Sequence, residues 1–354
     1  MNDEFLKITA YFDERQRTAD RFTADALLDL YGDAAVATSV MLRGISGFGL
    51  HQVLRSDETL STSEDPPVTI IAVDTTDKIA GLAEKASSMV SRGLFTLERA
   101  QLVTPSTEPV PHDTTRLTVY VGRRHRVAGR PAHYAVCDVL HRHGFFGATV
   151  FLGVDGTAHG ERRRARFFSS NAEVPVIVIA VGTGDRVKRV LPELKSLLPN
   201  ALLTVERAQL CKRGGEFIAA PAPVPAQDAD GHGLWQKLMV QTSEADLHNG
   251  HPIHRALVHR LRDSKSASGV TVLRGVWGFR GDREPQGDKL IQLGRQVPVN
   301  TIIIDTPERI AASFPIVDEL TDRHGLVTCE LVPALVSIDA DVRRGSTQLA
   351  RHQY

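Results

Sequence analysis

Between Leu6 and Phe12 apolar and polar side chains alternate, with Leu6, Ile8, Ala10 and Phe12 set against Lys7, Thr9 and Tyr11. This is the period of a half-buried strand. The period then lengthens: Phe22, Ala26, Leu27 and Leu30 mark an amphipathic helix. Val36–Ile45 reads as strand, the proline-led run Val68–Val73 as a more fully buried strand, Ile79–Val90 as helix and Leu94–Leu102 as strand. The order β-α-β-β-α-β predicts a split βαβ, or ferredoxin-like, arrangement with both helices on one sheet face. Its other face needs a cover.

The same blocks recur twice. Met41-Leu-Arg-Gly-Ile-Ser-Gly-Phe-Gly49 has counterparts in Val150–Gly160 and Val272–Gly281. The run Pro67–Asp74 returns as Pro175–Gly182 and Pro298–Asp305, and Thr96–Leu102 returns as Thr204–Leu210 and, more weakly, Thr328–Ala334. Each unit is roughly 100 residues, the size of a domain with its own core and far longer than a solenoid repeat. The predicted organisation is α+β: three tandem ferredoxin-like (βαββαβ) domains at 4–103, 115–211 and 234–336, linkers at 104–114 and 212–233, and a partly ordered tail at 337–354. The three would cover one another's free sheet faces as a pseudo-trimer inside one chain. Pro192 and Pro315 fall at the same place in the second helix of the later units, which predicts either a kink or a helix that starts late with proline in its first turn.

Composition narrows the classes. Hydrophobic residues make up 42% and charged residues 24%, enough apolar surface for a folded chain. Forty-two basic and forty-two acidic residues balance to a formal net charge of zero, which argues against bulk capture of nucleic acid or anionic membrane. Cys137, Cys211 and Cys329 form no CxxC pair and read as buried thiols. No run approaches the ~20 apolar residues of a membrane span and no signal-peptide pattern opens the chain, so a cytoplasmic protein is expected.

Candidate chemistry centres on the glycine-rich strand ends. Gly44, Gly47 and Gly49, with Gly275 and Gly278 in the third unit, permit close backbone approach. The long connections that follow, Leu50–Asp65, Gly160–Glu173 and Asp282–Gln296, read as recognition loops or as hairpins whose strands run on. The second holds Arg162, Arg163, Arg164, Arg166, Phe167 and Phe168, a candidate partner-docking segment or a solvated charge run. Glu98, Arg99, Glu206 and Arg207 either face a ligand cleft or form cross-strand ion pairs. His141, His143, His248, His251, His254 and His259 lack metal-ligand spacing, so no metal is expected, and no catalytic motif is present.

Taken together, Gly129-Arg-Pro131, Gly250-His-Pro252, the GATV and GVTVLRG strands, GFG, Ser63–Pro67 and Gly325–Thr328 resemble the PII-like proteins of the domain of unknown function family numbered 190. The resemblance implies a ferredoxin-like fold that assembles in threes, small-molecule or nucleotide binding between units, and a loop that docks on a partner, often a membrane transporter or ion channel. This chain departs from the pattern in lacking GxP before its first helix and the GFG aromatic in its second unit. The expected function is therefore a non-enzymatic sensor, monomeric, with an adenine nucleotide or other anionic metabolite as effector. Its clefts would be lined by Arg43, Gly44, Gly47, Phe48, Gly49, Arg274, Gly275, Gly278 and Phe279. The alternatives are a ligand-free interaction scaffold and, less favoured, a small-molecule enzyme.

Overall fold

The structure is a computed structural model that describes residues 4–56, 65–103, 113–158, 161–162, 174–287 and 296–352. In the first third, β1 (Glu4–Asp13), α1 (Thr23–Asp33), β2 (Thr38–Phe48), β3 (Pro67–Thr75), α2 (Thr76–Ser88) and β4 (Arg92–Leu102) follow the predicted order. The second third has β5 (Thr115–Gly122), α3 (Ala132–Arg142), β6 (Gly147–Leu152), β7 (Asp155–Ala158), β8 (Pro175–Gly182), α4 (Gly184–Leu197), β9 (Leu202–Arg207) and β10 (Gln209–Arg213). The last has β11 (Trp235–Ser243), α5 (Ile253–Asp263), β12 (Val270–Arg274), β13 (Trp277–Arg280), β14 (Pro298–Asp305), α6 (Pro307–Leu320), β15 (Leu326–Val332), β16 (Ala334–Asp339) and β17 (Val342–Ser346).

The expectation of three separate ferredoxin-like domains closing as a pseudo-trimer is corrected by the hydrogen-bond pattern. Strands of all three thirds join in one 21-stranded, mostly antiparallel sheet curled as a half-barrel. The physical reason lies in the glycine-broken strands. Past Gly44, β2 swings away from β3 and pairs with β12 of the last third, Gly47 opposite Thr271. Past Gly153, β7 pairs with β2, and past Gly275, β13 pairs with β6. A methyl group on Gly47 would strike the Val270 carbonyl oxygen; on Gly156 it would strike that of Ser39, and on Gly278 that of Ala148. The second glycine of each motif is therefore demanded by a neighbouring third's backbone. Each strand then turns back on itself: Ser46 and Gly47 pair with Ser56 and Arg55, and Trp277 and Gly278 with Gly287 and Gln286.

A second set of pairings runs in the opposite cyclic sense. The end of β4 pairs with β9, β10 pairs with β15, and β16 pairs with β4. Segments that repeat nothing in the sequence thus become strands: residues 337–339 complete β16, residues 342–346 form β17, and Ala350 is buried. Lys212, at the start of the expected second linker, is 1% exposed and donates to the carbonyls of Asp318 and Thr321 at the end of α6.

Four large hydrophobic clusters follow from this exchange. One lies under α1 and α2 and is completed by Ala334, Val336 and Ile338; another, under α3 and α4, is completed by Phe279. The third, under α5 and α6, takes in Phe48 and Cys211. The fourth lies on the opposite sheet face and mixes Phe5, Leu42 and Ile71 with Tyr120, Phe151 and Ile177 and with Leu273, Ile302 and Val332. All three cysteines are buried and none is in a disulfide. Pro192 and Pro315 lie deep inside α4 and α6, so these helices do not start late; each proline leaves the carbonyl four residues back without its helical donor.

Within one motif, two glycines make opposite predictions. Gly47→Ala should cost about 1–3 kcal/mol through backbone collision. Gly49→Ala, whose added carbon meets nothing within 4 Å, should stay within about 0.5 kcal/mol of wild type in a urea titration.

Candidate functional site

Alternation places Lys7, Arg116 and Lys237 at one position of the first strand in each third, on the face turned away from the helices. Each stands directly opposite a glutamate of its own last strand: Lys7 opposite Glu98, Arg116 opposite Glu206 and Lys237 opposite Glu330. Each cation also reaches the carboxylate of a neighbouring third, Lys7 to Glu206, Arg116 to Glu330 and Lys237 to Glu98. Within the thirds Lys7 lies 3.1 Å from Glu98 and Lys237 2.7 Å from Glu330. All six side chains are buried.

Burial alone would raise the carboxyls, but Lys237, Lys7 and Arg116 hold Glu98 well below the ordinary carboxylate range, and Arg116 and Lys7 lower Glu206. Burial and the neighbouring Arg116 lower the Lys7 ammonium. Lys237 is raised, because Glu330 and Glu98 outweigh its burial and Arg116. Carboxylate oxygens of Glu98, Glu206 and Glu330 lie within 4.8 Å of one another, the spacing of a metal site. Three cations already balance them, so a divalent ion would bring uncompensated charge into a buried place.

Beside the cluster is a cavity of about 40 Å³ with Lys7, Glu98, Arg116 and Lys237 at its charged end and Ile71, Ile179 and Ile302 on its wall. It has room for a few waters and none for a nucleotide. A metabolite does not fit there.

The junctions between thirds are the other places where functional side chains gather. At each, a glycine-broken strand end crosses the first helix of a neighbour: β7 at α1, β13 at α3 and the end of β2 at α5. Between the second and last thirds, Tyr134 packs on Trp277 with ring centroids 4.4 Å apart, and His141 on Phe279 at 5.0 Å. His133, 4.5 Å from Tyr134, is lowered to about 4 by burial and by Arg123 and Arg126, so its imidazole is neutral near pH 7. Between the last and first thirds the equivalent His254 is also lowered to about 4, by burial and Arg274.

The sequence candidates fall in three places. Arg43 pairs with Glu14, and Arg274 with Glu244 at 3.0 Å, beside the junctions. Gly44, Gly47, Gly275 and Gly278 sit where strands cross closely, Phe48 and Phe279 plug neighbouring cores, and Gly49 is exposed. Glu98 and Glu206 belong to the buried cluster, while Arg99 and Arg207 point to solvent, Arg99 donating to the Ala350 carbonyl. Of the arginine segment, Arg162 has a described backbone paired with Thr157; Arg163, Arg164, Arg166, Phe167 and Phe168 lie outside the described residues. Sequence reasoning passed over Lys7, Arg116, Lys237 and Glu330, although their recurrence at one repeat position was the available signal. It also passed over His133, although His254 repeats it, and Tyr134 and Trp277, whose residue types no other unit shares.

Removing one member of the cluster strands its partners. Glu206→Gln should destabilise the chain by about 3–5 kcal/mol at pH 7 in denaturant titrations. Because folding depresses the Glu98 and Glu206 pKa values below 4.5, their contribution is full above that pH and is lost as pH falls through the folded values. Wild type should therefore lose more stability than Glu206→Gln on acidification below pH 4.5, measured at matched ionic strength.

The DUF190 family model, described as an uncharacterized ACR, matches the chain three times, over residues 5–102, 114–210 and 235–334. A similar protein is the UPF0166 protein MJ1524 of Methanocaldococcus jannaschii, 31% identical over 86 residues that cover 24% of this chain and 78% of that protein. The relative is thus about the length of one unit. With the repeat boundaries, the shared element order and these matches in agreement, the chain belongs to the DUF190 family of PII-like proteins and carries three tandem copies of its unit.

Proposed function

We propose that the chain is a cytoplasmic, non-enzymatic regulatory protein that binds a small anionic metabolite or nucleotide at a junction between thirds and thereby changes its affinity for a partner. By family resemblance that partner is a membrane transporter or ion channel. The observation that carries the reading is the meeting of α3 with β13, where the Tyr134–Trp277 ring pair lies beside a neutral His133 flanked by Arg123 and Arg126. Aromatic faces accept planar rings and guanidinium groups accept phosphate or carboxylate oxygens, which is the chemistry an anionic, ring-bearing effector requires.

The route to a partner is short. The β13 strand that supplies Trp277 runs through a hairpin toward residues 288–295, and β2 leads likewise toward residues 57–64. A ligand touching Trp277 would thus act on the hairpin of β13 that a partner reads, a population shift rather than a chemical step. No helix among the described residues is long and apolar enough to cross a membrane, so a membrane partner would be met from outside the bilayer.

Thermal unfolding with a panel of adenine nucleotides and cyclic dinucleotides tests the proposal. A true effector at a hundredfold excess over its Kd should stabilise the chain by about 2.7 kcal/mol. No shift and no heat of binding with any member would count against it.

A further inference from the structure

We infer that the three junctions are not equivalent, and that the one between the second and last thirds is the chain's single ligand site, selective for a planar ring bearing an anionic group. The inference rests on the function proposed above and narrows it. Four sets of equivalent positions carry the argument.

The residue after the first strand is Glu14, Arg123 and Glu244 in the successive thirds; the residue before the first glycine of the second strand is Arg43, Leu152 and Arg274. In the first and last thirds these two close on each other as ion pairs, with Arg43 Nε 3.0 Å from Glu14 and Arg274 Nε 3.1 Å from Glu244. In the second third the carboxylate has become a guanidinium and its cationic partner an isobutyl group. The local charge changes from balanced to positive.

The residue just before the second glycine crosses onto the neighbouring helix, and it is Ser46, Asp155 or Trp277. Asp155 is 3% exposed, so the junction between the first and second thirds already buries a carboxylate where an anion would have to sit. Ser46 offers little surface for stacking. Trp277 alone presents a ring, packed on Tyr134, and its indole Nε1 is buried with no protein acceptor among the described residues.

The second helical residue differs too: Ala24, His133 and His254. At the second third, His133 is a neutral imidazole able to donate or accept, while Arg123 and Arg126 supply the charge. Arg130 is committed to Asp138 at 3.0 Å and holds the hairpin onto α3. Fusion of three units in one chain is what allows this specialisation, since identical subunits in a ring would carry identical junctions.

The chain has two tryptophans, so Trp235→Phe leaves Trp277 as sole reporter. ATP, ADP and cyclic di-AMP are titrated into this full-length variant by fluorescence and into wild type by calorimetry. The expected result is one equivalent of the binding nucleotide per chain with quenching of Trp277. Arg123→Glu with Leu152→Arg, which restores the pair of the other thirds, should weaken binding about tenfold or more. Should that variant not fold, the exposed Arg126→Glu gives an independent reading and should weaken binding about fivefold. Glu244→Gln, at another junction, should change affinity less than about twofold. Three equivalents per chain, a silent Trp277, or unchanged affinity in both arginine variants overturns the single-site inference while leaving the broader function standing. Absence of binding by all three nucleotides overturns both.

Discussion

Six buried charges decide how this chain can be assembled. Lys7, Arg116 and Lys237 each satisfy a glutamate of their own third and one of the next, so the contacts run in a circle through Glu98, Glu206 and Glu330. A buried ion pair seldom adds net stability over a well-packed apolar group, because desolvation offsets the attraction. What it does add is intolerance of error. A strand slipped by one residue, or a third docked out of order, would leave an ammonium or carboxylate buried without a partner. The cluster thus fixes register within each third and order among them at once.

Around that point the backbone enforces the same order by different means. Each second strand is broken by glycine so that its far end can leave its own sheet and join a neighbour's, and each unit's closing segment extends the last strand of the next in the circle. Apolar groups travel with the strands: Phe48, Phe279 and Ile338 fill cores they do not belong to by sequence. No third has a complete core, which is why the chain is one sheet rather than three beads. Functional surfaces arise where the crossings meet the helices, and because each crossing has its own residues, a single covalent chain holds three junctions free to diverge.

Much of this was legible beforehand, and the failures have physical causes. Periodicity located the strands and helices of each unit, and the repeat anchors located the units. The alternating pattern at Lys7, Thr9 and Tyr11 marked a second sheet face that other units were expected to cover, and Lys7 is 6% and Thr9 2% exposed. Alternation reports two different faces and cannot say that the polar one is wet. Gly44, Gly47, Gly275 and Gly278 were read correctly as sites of close approach, Gly49 was not, and what approaches is a neighbouring strand. That information resides in tertiary pairing. The turn before α1 keeps the hairpin shape without the glycine seen in the other units, through Ala19 at φ 53° beside Ala128 at 49° and Asn249 at 50°. Departure from a motif there did not signal departure in structure. Conversely, Tyr134 and Trp277 are far apart in sequence and nothing in the glycine motif that holds Trp277 points to Tyr134, so only folding brings them together.

Calorimetric unfolding of the intact chain tests most directly whether the thirds are one structure. A single transition, with calorimetric and van't Hoff enthalpies equal, is the result expected when each core and the buried charge cluster are shared. Two or three resolved transitions would contradict the account, because they would mean that a third can unfold while its neighbours keep the strands and side chains it was thought to supply.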